Sequence, residues 1–174
     1  KKEWAYREIL ESFLTEKKTK FTQLALAQNL GISLSTVNNA LKPMQKIGAV
    51  EVASMGFRLI DAQKLMVYWA TVRGLERDIV YKTRVNAPVS SIEKNMPSGT
   101  VYTGYSGYKF VFSDVPADYS EVYVYAGEEA LGKIKELFPQ AKGRANLIVL
   151  SLDGKMGKGT VPGVAPLSQL YADL

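Results

Sequence analysis

The sequence predicts an α/β chain, α+β taken as a whole, in two parts. Residues 1–74 should fold as helices around a short hairpin, and residues 75–174 as a small α/β domain. Three observations predict this. Apolar residues recur at helical spacing in four segments before Gly74. Beyond it, strand-like runs alternate with helical ones. Charge divides at the same place: residues 1–74 hold 11 Lys and Arg against 6 Asp and Glu, a net of +5, whereas residues 75–174 hold 11 against 11.

Trp4 to Leu14 reads as the first helix, with Trp4, Ile9, Leu10, Phe13 and Leu14 on one face. The TEKKTK run after it reads as a polar connection. Thr22 is the expected N-cap of a second helix that runs to Leu30. Gly31 stands where a helix ends and the backbone needs a positive φ. Ser33 caps a third helix, in which Val37, Leu41, Met44 and Ile47 make one apolar stripe. Pro43 interrupts its hydrogen bonding and predicts a bend rather than a stop; Gly48 ends it. Val50 and Val52, then Phe57 and Leu59, alternate with polar or small residues on either side of Met55-Gly56, a hairpin. Asp61 caps a fourth helix, AQKLMVYWATVR, with Leu65, Tyr68, Trp69 and Val72 as its apolar face, and Gly74 closes it.

The second part opens with a strand, DIVYKTRV, and a short helix framed by prolines, PVSSIEKNMP. GTVYTGYSGYKFVF is rich in Tyr and Gly. SEVYVYA alternates as a strand, EEALGKIKELF is an amphipathic helix ended by Pro139, ANLIVLSL is a strand of the buried type, and PLSQLYADL starts a last helix.

Composition narrows the function classes. With 47% apolar residues, ten tyrosines and six phenylalanines, the chain can bury a core. No apolar run reaches membrane-spanning length and no signal-peptide pattern opens the chain, so no membrane partner is expected. Lys1 does not look like a native start, so the sequence reads as trimmed. The chain has no cysteine and no histidine, which removes disulfides, thiolate nucleophiles, Cys/His zinc sites and imidazole bases. A cysteine-free chain fits a reducing compartment, and a cytoplasmic location is expected.

The spacing Gln23, Ala27, Gly31, Val37 fits Q-x3-A-x3-G-x5-V, the helix-turn-helix pattern. Ala27 is small where the helices cross, Gly31 makes the turn, and Ile32 and Val37 fill the wedge above Leu26 and Leu30. Three helices followed by a hairpin predict a winged helix-turn-helix. That layout leaves Ser35, Thr36, Asn38, Asn39 and Lys42 on the open face of the third helix, with Lys46 near its end. Short hydroxyls and amides reach base edges and phosphates without a charge that DNA repels; Asn pairs with adenine and Lys neutralises phosphate. No acidic residue occurs from Gly31 to Val50. The expected partner is double-stranded DNA. The candidate DNA-binding residues are Thr22, Gln23, Ser33, Ser35, Thr36, Asn38, Asn39, Lys42 and Lys46, with Arg58, near the hairpin tip, as the wing contact.

Two stretches invite a catalytic reading. GKMGKGT, Gly154 to Thr160, imitates a phosphate-binding loop, but no lysine separates Gly159 from Thr160 and Val-Pro follows, so a flexible surface loop is expected. Ser106-Gly107 followed by a strand with Glu121 has the layout of a nucleotidyltransferase. That chemistry needs two or three carboxylates for magnesium. Tyr123 stands where the second would be, Asp114 and Asp118 fall in a proline-containing turn, and Asp153 is the one candidate third ligand. No catalytic residue, metal or cofactor is therefore expected.

The chain resembles the AbiEi-like family, antitoxins and transcriptional regulators of abortive-infection toxin–antitoxin loci, especially archaeal members. STVNNALKPMQKIGAVE, VYWATVRGLERDIVYKT, GTVYTGYSGYKF and APLSQLYADL carry the resemblance. It implies an N-terminal winged helix that represses its own operon, and a nucleotidyltransferase-like second domain without an active site. It also implies a toxin encoded nearby; a second copy of this chain is the other candidate partner. Family members continue past a YADL-like helix, so the sequence reads as one lacking its C-terminal tail. The alternative is a sensing regulator whose Tyr-rich second domain binds an effector or a protein.

Overall fold

The computed structural model describes residues 1–115, 117–157 and 159–174, and among them eight α-helices and two sheets form a mixed α/β chain. Pro116, in the proline turn expected before Glu121, and Lys158, in GKMGKGT, lie outside the described residues. The chain divides into two compact units, Lys1–Arg73 with Leu167–Ala172 and Gly74–Pro166 with Asp173–Leu174. The last helix thus belongs almost wholly to the first unit, whereas the sequence placed it in the second. No helix of the described residues is long and apolar enough to cross a membrane.

The first unit runs α1 (Lys2–Glu16), β1 (Lys20–Phe21), α2 (Gln23–Leu30), α3 (Leu34–Lys46), β2 (Val50–Ala53), β3 (Gly56–Leu59) and α4 (Ala62–Val72), with the closing helix α8 (Leu167–Asp173) contributing Leu167–Ala172. The three expected caps are made. Thr22 and Ser33 hydroxyls accept from the Ala25 and Thr36 amides at 3.2 and 3.1 Å, and Asp61 accepts from Lys64 at 3.0 Å. Each such cap stabilises its helix by about 1 kcal/mol. Gly31 takes φ 62°, and helix α3 continues through Pro43 to Lys46. The Asn39 carbonyl that Pro43 leaves without an amide belongs to an exposed residue, so water can satisfy it.

The core of this unit gathers Ala5, Tyr6, Ile9, Leu10, Leu26, Ala27, Leu30, Val37, Leu41, Met44, Leu65 and Trp69, with Ala172 of α8. Glu11 receives both the backbone amide and the hydroxyl of Ser168, and Arg7 donates to Gln169 at 2.8 Å, so polar bonds tie α1 to α8. Val72 is 42% exposed and does not join the apolar face of α4.

TEKKTK is not merely a connection. Its last residue and Phe21 form β1, which pairs antiparallel with β3 in a three-stranded sheet ordered β1-β3-β2. A two-residue strand shows no alternation, which is why the sequence hid it. Phe21 stacks on Phe57 with ring centroids 5.4 Å apart. The approach of β1 also explains Gly56. Its φ is 146°, and a Cβ there would lie 2.3 Å from the Phe21 carbonyl oxygen.

The second unit runs through a 3₁₀ turn (Leu75–Asp78), β4 (Ile79–Thr83), α5 (Val89–Lys94), β5 (Thr100–Thr103), α6 (Gly104–Phe112), β6 (Val122–Ala126), α7 (Glu128–Leu137) and β7 (Leu147–Ser151). The sheet order is β4-β7-β6-β5, with β6 and β7 parallel and both outer pairs antiparallel. The central strands are apolar on both faces because both faces are covered. Val122, Val124, Leu147 and Val149 pack with Ile92, Ala130 and Ile134, while Tyr125, Ile148 and Leu150 pack with Met156. Met156 belongs to GKMGKGT, and a Cβ on Gly159 would lie 2.2 Å from the Val164 carbonyl oxygen. Met156 is thus anchored in the unit, while Gly154, Lys155, Gly157 and Thr160 stay exposed, so the described residues of this stretch form a surface loop as expected; no helix starts after Thr160 until Leu167.

Candidate functional site

Helix α3 buries Val37, Ala40, Leu41 and Met44. Those spacings of three, one and three leave Ser35, Asn38, Asn39, Lys42, Gln45 and Lys46 exposed. A groove of about 490 Å³ runs along this side. It is lined by Gln23 from α2, by Leu34, Ser35, Asn38, Asn39, Leu41, Lys42 and Gln45 from α3, and by Val52 from β2. Five of the ten candidate residues are thus brought to one surface. Every polar group on it is neutral or cationic.

The remaining candidates have other duties. The Thr22 and Ser33 oxygens are taken as caps, and Thr36 shares a 2.9 Å hydrogen bond with Ser33. A hydroxyl used as an acceptor at a cap still has its hydrogen to donate, so Thr22 keeps a phosphate-binding capacity. Lys46 is exposed in the last turn. Arg58 sits opposite Glu51 in the hairpin register and pairs with it at 3.2 Å, both side chains more than half exposed. An exposed pair of this kind is worth at most about 1 kcal/mol, so Arg58 is readily released.

Within the groove, Lys42 Nζ donates to Asn39 Oδ1 at 3.1 Å. That bond takes the amide oxygen and leaves the Asn39 NH₂ free to donate outward. Gln45 was missed by the sequence reading. The signal was there: Gln45 stands three residues beyond Lys42 and seven beyond Asn38, the spacing of one helix face.

The second unit holds the other candidates. Glu121 stands just before β6 and not on it; its carboxylate receives Arg144 at 3.1 Å and the Tyr123 hydroxyl at 3.1 Å. Asp153 follows the opposite end of β7, and its carboxylate accepts the Lys155 amide. In the parallel register of β6 and β7, five residue pairs separate the two acids, about 17 Å of strand at ~3.3 Å per residue. Asp153 is therefore no third ligand for a metal held by Glu121. Ser106 lies in the first turn of α6 and is fully buried. The hydroxyl of Thr103, the residue preceding α6, donates to Asp173 at 2.7 Å, and the same carboxylate oxygen receives the Tyr125 hydroxyl.

A cavity of about 390 Å³ in this unit is lined by Tyr105, Tyr119 and Tyr123, with Asp118, Glu121, Arg144 and Asp173. Tyr119 stacks on Tyr105 and donates to the buried Glu93 carboxylate at 2.6 Å, beside the Lys109 ammonium. Burial first, and then the bond to Glu93, raise the Tyr119 hydroxyl above its ordinary value. The same carboxylate holds the Lys109 ammonium above its own. Tyr102 donates to the Glu93 carbonyl and is pushed up to about 12, mainly by burial. The Tyr-rich stretch thus divides between packing and cavity lining: Tyr102 packs edge-on against Phe110, and Tyr105 faces the cavity.

No family model, no curated protein and no solved structure matches the chain.

Proposed function

We propose that the protein is a sequence-specific DNA-binding transcriptional regulator whose first unit is a winged helix-turn-helix with α3 as its reading helix. One observation carries this: the open side of α3 gathers Gln23, Ser35, Asn38, Asn39, Lys42 and Gln45 around one groove with no acid among them. Amides and short hydroxyls are the groups that read base edges in a major groove, and the lysine meets phosphate. The order α1-β1-α2-α3-β2-β3, with β1 closing the sheet, supports the winged-helix assignment. The AbiEi-like resemblance adds the expectation of an antitoxin that represses its own operon. A mobility-shift titration against the gene's upstream region and a random duplex of equal length tests this. Retardation of both, tighter for the upstream region, is expected; no retardation of either at low salt removes the proposal.

The second unit, in this proposal, has no transferase chemistry. Glu121 is engaged by Arg144 and Tyr123, Asp153 lies at the far end of the sheet, and Ser106 is out of reach of a substrate. A carboxylate, Asp173, is bonded to the residue that precedes α6, where a nucleotide phosphate would be bound. Incubation with magnesium, labelled nucleotides and RNA or protein acceptors should give no transfer; label transfer that Glu121→Ala abolishes would make the protein an enzyme.

The cavity lined by Tyr105, Tyr119 and Tyr123 favours a second reading, a regulator whose second unit binds an effector. A thermal-shift screen of nucleotides and small metabolites separates the two: a stabilising compound that also changes DNA affinity supports the sensing role.

A further inference from the structure

We propose that Lys18 and Lys20 form a second contact surface in the first unit, one that grips the phosphate backbone of the same duplex that α3 reads. This rests on the DNA-binding reading above and adds a site that the sequence reading assigned to a polar connection.

Residues 1–74 carry 11 Lys and Arg, yet α3 displays only Lys42 and Lys46. Arg58, Lys64 and Arg73 are paired with Glu51, Asp61 and Glu3. Arg7 is buried against Gln169. The remaining five, Lys1, Lys2, Lys17, Lys18 and Lys20, are all exposed, and of these Lys18 and Lys20 line a groove. Their position is set by β1, whose pairing with β3 fixes Lys20 opposite Arg58 and Phe21 opposite Phe57. Lys18 Nζ lies over the Phe21 ring, 5.3 Å from its centroid, which steadies its stem and leaves its head in water.

Geometry then joins this surface to the reading helix. A groove of about 330 Å³ is lined by Lys18, Lys20, Thr22 and Met55, with Glu8 as its one acid. Thr22 is adjacent in sequence to Gln23, which lines the α3 groove. Met55 is at the tip of the hairpin whose Val52 lines that groove too. The two grooves are thus lined by neighbouring residues at the start of α2 and by residues of the same hairpin. A duplex seated on α3 continues past Thr22 toward Lys18 and Lys20. Lysine is a point charge without the planar fork that reads guanine. The contact is therefore to phosphate and independent of sequence.

The test uses the whole 174-residue chain, as wild type, Lys18→Ala/Lys20→Ala and Lys18→Arg/Lys20→Arg. Affinity for the upstream duplex and for a random duplex is measured by fluorescence anisotropy between 50 and 200 mM KCl. Removing two phosphate-binding charges should lower the slope of log K against log salt by about 1.8, at ~0.9 per phosphate. Over that fourfold rise in salt the alanine variant then loses about 12-fold less affinity than wild type, equally on both duplexes. The arginine variant should keep the wild-type slope, which separates charge from folding. Wild-type binding with an unchanged slope in the alanine variant overturns this inference alone, as does a loss confined to one duplex. Absence of wild-type binding at 50 mM removes the DNA-binding reading and this inference with it.

Discussion

Helix α3 in the first unit and helix α7 in the second are both amphipathic. Helix α3 buries Val37, Ala40, Leu41 and Met44; helix α7 buries Ala130 and Ile134. Their exposed faces differ in kind. Helix α7 shows Glu128, Glu129, Lys133, Lys135 and Glu136, with acids in its first turn and Lys133 paired to Glu129 one turn away at 2.7 Å. That is how a solvated helix suits its own dipole and neighbours. Helix α3 has no acid in its first turn and none on its face. It forgoes the stabilisation that α7 takes and displays hydroxyls, amides and lysine instead. The buried stripe explains why each segment is a helix. Only the exposed face distinguishes a surface that meets water from one suited to a polyanion.

The buried stripes should matter most and should matter alike. Met44→Ala and Ile134→Ala each remove a fully buried side chain and should cost about 2–5 kcal/mol in a urea titration. Any Ile134→Ala protein that remains folded should bind DNA as wild type does. Equal loss of DNA affinity in both variants would break the division of labour between the helices.

Giving α3 a feature of α7 sharpens the comparison. Ser35→Glu puts an acid in the first turn of α3, at an exposed position. Stability should rise by about 0.3–1 kcal/mol through the helix dipole. DNA affinity should fall, because a carboxylate about 4 Å from a phosphate is repelled by about 1–4 kcal/mol in media between water and a protein surface. That loss is at least about fivefold. A variant that is more stable and still binds DNA at full strength would show that the face of α3 is not the contact.

The smallest effect is expected on α7. Lys133→Ala removes an exposed partner of Glu129, whose carboxyl Lys133 holds below its ordinary value. Stability should fall by no more than about 0.5 kcal/mol in a urea titration, and DNA affinity should not move. A loss of DNA binding here would extend the interface to the second unit.

Much of the first unit was legible because its signals are local. Thr22, Ser33 and Asp61 cap helices through side chains three residues from their targets, and Gly31 takes the left-handed turn that favours glycine. The face of α3 was legible for the same reason, and Gln45 was passed over between Lys42 and Lys46 although it shares their exposed face. What stayed hidden depends on pairing between distant segments. Strand β1 exists because β3 offers it an edge, and Gly56 is required because the Phe21 carbonyl arrives there. The Arg58–Glu51 pair follows from hairpin register. In the second unit, the alternation of strands and helices was readable. That Asp153 and Glu121 fall at opposite ends of a parallel pair follows from the sheet order, which no local pattern encodes.

The most direct measurement is the ratio of affinities for the upstream duplex and a random duplex, taken for wild type and for Asn38→Ala/Asn39→Ala. Both asparagines are exposed on the α3 groove. Removing each amide from its base edge should cost about 1–3 kcal/mol on the upstream duplex and little on the random one. The ratio should therefore collapse toward unity while the salt slope is retained. A ratio that stays at its wild-type value, or equal losses on both duplexes, would contradict the assignment of α3 as the helix that reads DNA.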